Sequence, residues 1–128
     1  MSIARVLDEY CDAWRAGDLA RLFGSYHDEF TLHYFGESPL AGTHRGKASA
    51  LAALGEATRR SGRQLVEIVD VLAGRELGAI VAIERVGASG ETTDIRRVLL
   101  YRVRDGQLVE CWLYDEDQRL VDRLWSAG

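Results

Sequence analysis

The sequence predicts an α+β domain in which helices cover one face of a curved sheet. Three features point there. Apolar residues recur at helical spacing in the first part of the chain. One strand-like run is then followed by a further helical pattern. The second half consists of long strands separated by glycine turns. With 128 residues, 47% of them hydrophobic, the chain reads as one domain over residues 1–128, able to build a core without disulfides.

The elements follow in order. Ile3, Val6, Leu7, Tyr10, Cys11 and Trp14 share one helical face; Ser2 can cap that helix and Gly17 can end it. Asp18 offers a cap to a short second helix, whose Leu19, Leu22, Phe23 and Tyr26 are expected to form a buried stripe. The aromatic and β-branched run Phe30 to Phe35 reads as a strand, and residues 36–46, with the single proline Pro39, as turns. A third helix is expected from Lys47 to Arg60, packing Ala48, Leu51, Ala52, Leu54 and Gly55 and stopping at Gly62. Strands are expected at 64–73, 77–86, 92–103 and 107–114. Their hairpin turns fall near Gly74, at Ser89-Gly90 and at Asp105-Gly106. Residues 115–125 then form a short terminal helix with Leu120, Val121, Leu124 and Trp125 on one side.

Charge and motifs narrow the classes. There are 16 Lys+Arg against 20 Asp+Glu, a formal net charge of -4, and the basic residues are scattered, which argues against nucleic-acid binding. No apolar run is long enough to span a membrane. Arg5, Asp8 and Glu9 break the N-terminus where a signal peptide needs an apolar stretch, so a soluble cytoplasmic protein is expected. Cys11 and Cys111 lie on different elements and read as buried or half-buried thiols of a reducing compartment. His27, His33 and His44 lack metal-ligand spacing. With no P-loop, dinucleotide fingerprint or nucleophile elbow either, neither a metal nor another cofactor is expected.

Four segments, YCDAWRAGD, HYFGESPLAGTHRG, VRDGQLVECW and DQRLVDRLW, taken in this order and spacing, carry a resemblance over nearly the whole length. The chain resembles the SnoaL-like and ketosteroid-isomerase-like branch of the nuclear transport factor 2-like superfamily. The resemblance implies a cone-shaped α+β roll, cystatin-like, with a mixed but mainly antiparallel sheet and three helices of the N-terminal half over its concave face. It also implies a homodimer, and a hydrophobic small molecule acted on by cofactor-independent acid–base chemistry. Isomerases, polyketide cyclases, epoxide hydrolases, dehydratases and members without known activity share this fold.

Carried over residue by residue, Tyr10 falls where the isomerases place an oxyanion-holding tyrosine. Their proton-moving aspartate falls near Tyr34 with His33 beside it, and their protonated acid falls on Leu99. Two of those three groups are therefore missing. The cyclases of the branch carry an acid–base aspartate directly after a tryptophan, whereas Trp112 is followed by Leu113, with Asp115 and Asp117 the nearest carboxylates.

Strand alternation adds an independent reading, because residues two apart share a face. Ile95, Arg97, Leu99, Tyr101 and Val103 share one face of their strand, which the resemblance turns toward the cavity, with Ile80, Ala82, Glu84 and Val86 matching it on the strand before. Glu84 and Arg97 can then meet in an apolar pocket, either as proton-moving base and anion holder or as a structural ion pair. His33 is a second acid–base candidate, although alternation leaves open whether His33 or Tyr34 faces inward; Tyr10 is either a pocket hydroxyl or a core tyrosine. Trp14, Tyr34, Leu99, Tyr101, Leu113 and Asp115 are the expected ligand-binding wall. Trp112, Val98 and Leu100 fall on the outer face and suggest the dimer interface.

Overall fold

Caps and turns set the element boundaries. In the computed structural model, which describes residues 2–88 and 90–126, α1 (Ile3–Ala16) begins where Ser2 Oγ accepts the Arg5 amide. It ends at Gly17 in the left-handed conformation. α2 (Leu19–Gly24) starts from Asp18, whose carboxylate accepts the Arg21 amide. β1 (Tyr26–Tyr34) and β2 (Gly42–Arg45) form an antiparallel pair before α3 (Lys47–Ser61). α3 closes at Gly62, with φ at 59°; a Cβ there would lie 2.6 Å from the Gly87 carbonyl oxygen, so only glycine fits this corner.

The chain then runs through β3 (Gln64–Ala73), β4 (Leu77–Ala88), β5 (Glu91–Arg104) and β6 (Gln107–Asp115), and finishes with α4 (Gln118–Ser126). Asp105 and Gly106 both have positive φ, 55° and 73°, the backbone that a two-residue hairpin between twisted strands requires. Of the expected Ser89-Gly90 turn, Ser89 lies outside the described residues; Ala88 pairs with Glu91 and thereby closes the β4–β5 hairpin.

All six strands join one curled open sheet in the order β2-β1-β6-β5-β4-β3, antiparallel except where β1 runs parallel to β6. α1 lies against β3 and β4, α3 against β1, β2 and β4, and α4 against α3 and β6. The core between them holds Leu7, Phe30, Leu32, Ile80, Leu108 and Trp125. The α+β class, the curved mixed sheet and the helices on its concave face are as expected from the sequence. No helix among the described residues is long and apolar enough to cross a membrane.

The structure corrects the sequence reading at three places. Residues 42–45, expected within a turn, form β2, because the edge of β1 offers unpaired backbone groups that they satisfy. α2 fully buries none of its residues: Leu19 is 63% and Phe23 51% exposed, Leu22 is half-buried against the core, and Tyr26 is buried but belongs to β1. α3 turns its Ala50, Ala53 and Ala57 face to the core, leaving Ala48, Ala52 and Gly55 exposed. Alanine lets the helix approach the sheet closely, and the leucines flanking that face, Leu51 and Leu54, line a cavity instead.

Candidate functional site

The cavity, of about 400 Å³, lies between α1, α2, α3 and the inner faces of β3, β4 and β5. Trp14, Leu22, Leu51, Leu54, Leu65 and Leu99 make apolar walls, and the exposed Leu19 and Phe23 stand where it opens. Polar groups complete the lining: Tyr10, Tyr26, Thr58, Arg63, Glu84 and Arg97. An apolar space with a few convergent polar groups is the ordinary form of a small-molecule site.

The charged groups form a quartet. Arg97 on β5 makes a two-pronged contact with Asp115 at the end of β6, Nε to Oδ1 at 2.9 Å and Nη2 to Oδ2 at 3.0 Å. Glu84 on β4 approaches it from the other side, Oε1 lying 3.5 Å from Arg97 Nε. Arg63, delivered by the Gly62 corner, places Nη1 at 3.4 Å from both Glu84 Oε1 and Asp115 Oδ1. The four side chains are only 2–4% exposed. Two cations against two carboxylates leave the quartet formally neutral, which is what permits such burial.

Burial acts on each member, and its neighbours decide the outcome. Burial alone would raise the Asp115 carboxyl, yet the Arg97 charge and hydrogen bonds, reinforced by Arg63, hold it below its ordinary value. Burial pulls against the Arg97 cation, but Glu84 and Asp115 raise its pKa further. Arg63 goes the other way: burial first, then the charge of Arg97, lowers it, with Glu84 and Asp115 offsetting only part. Its Nε and Nη2 are buried without a hydrogen-bond partner among the described residues.

Beside the quartet sits a tyrosine cluster. The Tyr10 and Tyr26 hydroxyls are 2.5 Å apart, and the Tyr10 ring packs edge-on against Tyr101 with centroids at 5.8 Å. Burial pushes the Tyr10 hydroxyl up to about 12, so it stays protonated at neutral pH and can donate. Burial likewise pushes the thiols of Cys11 and Cys111 up, to about 11 and about 12, which leaves them poor nucleophiles.

The expected site residues separate into three groups. Tyr10, Glu84, Arg97, Trp14 and Leu99 line the cavity. Tyr34, Tyr101, Leu113 and Asp115 lie on the same side of the sheet but behind the cavity wall, which corrects their expected contact with a ligand. Tyr34 packs on Trp125 with centroids at 4.6 Å, Tyr101 backs Tyr10, Leu113 is sealed in the core, and Asp115 stands behind Arg97.

His33 is on the opposite face, because β1 turns Leu32 and Tyr34 inward. There its Nε2 is 2.6 Å from Glu110 Oε2, its Nδ1 3.0 Å from the Thr43 hydroxyl, and its ring stacks on Trp112. The sheet separates His33 from the cavity, so it cannot act as an acid or base there. No set of three or more His, Cys, Asp or Glu side chains able to hold a metal occurs among the described residues.

Sequence reasoning missed Arg63. Its signal was present: counting back two residues from the inward Leu65, which pairs with Glu84, puts Arg63 on the inner side as well.

Comparison with known proteins gives consistent results. A family model described as the SnoaL-like domain matches residues 7–111. No curated protein matches the chain. Among solved structures, a protein of unknown function with cystatin-like fold from Xanthomonas campestris superposes with a TM-score of 0.88 at 29% identity, over 98% of this chain and 99% of that one. A nuclear transport factor 2-like protein from Burkholderia xenovorans gives 0.70 at 25% identity, over 95% and 93%. A candidate SnoaL-like polyketide cyclase from Mesorhizobium loti gives 0.71 at 23% identity, over 89% and 99%, a likeness of fold alone.

Proposed function

Because the chain belongs to the SnoaL-like domain family, we propose that it is a small-molecule enzyme performing acid–base chemistry on a hydrophobic substrate in the cavity. The reaction is of isomerase, cyclase, dehydratase or epoxide-hydrolase type. The observation that carries this reading is one carboxylate, Glu84, exposed to the same apolar cavity as two guanidinium groups and a protonated tyrosine hydroxyl.

In this reading Glu84 moves the proton. Its Oε1 accepts from Arg63 and lies 3.5 Å from Arg97 Nε. Arg97, whose position is fixed by its two bonds to Asp115, faces the oxygen on which negative charge develops. Tyr10 donates a hydrogen bond to the same oxygen, and the apolar walls exclude water, which strengthens each of these interactions. Asp115 is a positioning residue that does not line the cavity and acts on the ligand through Arg97 and Arg63.

The test is Glu84→Gln, which keeps the shape and removes the base. It should abolish turnover while ligand binding, read by calorimetry, persists. Equal turnover would remove Glu84 as the base. The rival reading is a non-catalytic binding module. It is favoured by the two hydrogen bonds that Arg97 donates to Asp115, which tie up much of the guanidinium within the protein; ligand binding with every bound compound recovered unchanged would support it.

A further inference from the structure

The quartet is neutral as a whole but not as seen from the cavity. Asp115 stands behind Arg97 and does not line the space, whereas Arg63, Arg97 and Glu84 do. The wall therefore presents two positive charges against one negative. Arg63 is also held loosely, by one nitrogen at 3.4 Å from each of two carboxylates. Its Nε and Nη2, on a side chain only 4% exposed, have no partner among the described residues. Buried donors on a cation are costly when unpaired, and a second acceptor is the ordinary remedy. The rest of the lining is mainly leucine and tryptophan, with the exposed Leu19 and Phe23 at its rim.

We infer that the ligand of this cavity is an organic acid. Its carboxylate or acidic hydroxyl sits against Arg63 and Arg97, and its apolar body lies along Trp14, Leu51 and Leu54. A planar guanidinium with two free N–H donors matches a carboxylate in two-pronged fashion, which a ketone or ester cannot reproduce. Glu84 opposes the ligand charge, and the two arginines outweigh it. This inference rests on the reading of the cavity as the functional site and names the substrate class that the site selects.

The experiment compares matched probes by titration calorimetry on the intact protein: 2-naphthoate, its neutral methyl ester, and the corresponding primary ammonium compound. The acid should bind about tenfold or more tighter than the ester, and the ammonium compound weakest of the three. Arg63→Gln should erase the preference for acid while leaving ester binding in place. Glu84→Gln, which removes the negative charge from the wall, should tighten the acid and not the ester.

Equal affinity of acid and ester in the wild-type protein would mean that the ligand does not engage the Arg63 donors, and would overturn the inference while leaving a hydrophobic site and its proposed chemistry standing. Failure of all three probes to bind would overturn both. The wild-type comparison decides even if a variant does not fold. Turnover plays no part in it, so loss of the acidic-ligand inference and loss of Glu84 as the base are separate results.

Discussion

A single residue, Asp115, shows how the site is held. Burial would raise its carboxyl, and Arg97 with Arg63 instead keeps it below the ordinary value of 3.8. A carboxyl that is lower in the folded chain than in the unfolded one adds stability that is complete above the unfolded value. That stability is lost as pH falls through the folded one. The thermal midpoint should therefore decline from about pH 5 downward, and Asp115→Asn should flatten that decline. At neutral pH the same variant leaves an unbalanced buried cation and should cost about 3–5 kcal/mol, measured by denaturant unfolding. An Asp115→Asn variant as stable as the parent at pH 7 would mean that solvent, not Asp115, balances Arg97. At this scale Glu84 and Arg97 were legible in the sequence, because alternation along long strands places them together. Arg63 is easily passed over because it sits at a helix–strand corner one residue before β3, although alternation from Leu65 carries it inward, and His33 was hidden by an open choice of register on β1.

Among the elements, α2 bears most directly on ligand entry. Its Leu19 and Phe23 line the cavity yet are largely exposed, so they contribute little to folding. Leu19→Ser and Phe23→Ser should each change stability by no more than about 0.5 kcal/mol and should weaken ligand binding, as seen by paired unfolding and titration experiments. A large loss of stability instead would place these residues in the core. The start of α2 was readable because a cap is a local signal, Asp18 reaching only to the Arg21 amide. Its facing was not, since a six-residue helix makes too few turns for periodicity to fix which side meets the core. α3 failed differently: alanines and leucines surround the helix, and the close approach of Ala50, Ala53 and Ala57 to the sheet outweighed the greater hydrophobicity of Leu51 and Leu54. β2 carries no apolar alternation at all and exists because β1 needs a neighbour.

For the whole molecule, topology was readable because glycine turns punctuate β3 to β6, and each hairpin joins strands adjacent in sequence. The size of the cavity was not, since it depends on how α1, α2 and α3 settle on the curled sheet. The outer face carries half-buried Trp112 with His33 stacked on it and Arg102 above its ring at 5.8 Å, next to Val98 and Leu100. We expect two copies to associate through this face. Trp112→Glu should then shift the sedimentation mass toward the monomer, and an unchanged dimer would move the interface elsewhere. The central claim is that the cavity holds a hydrophobic small molecule against the charged quartet, and a thermal-shift panel of aromatic acids, ketones, lactones and epoxides tests it most directly. At about 100 times its Kd a ligand adds about 2.7 kcal/mol. This should raise the midpoint by several degrees, and Leu54→Trp, whose larger ring takes up part of the cavity, should reduce the shift. Silence across the panel, or a shift undiminished in Leu54→Trp, would contradict the account.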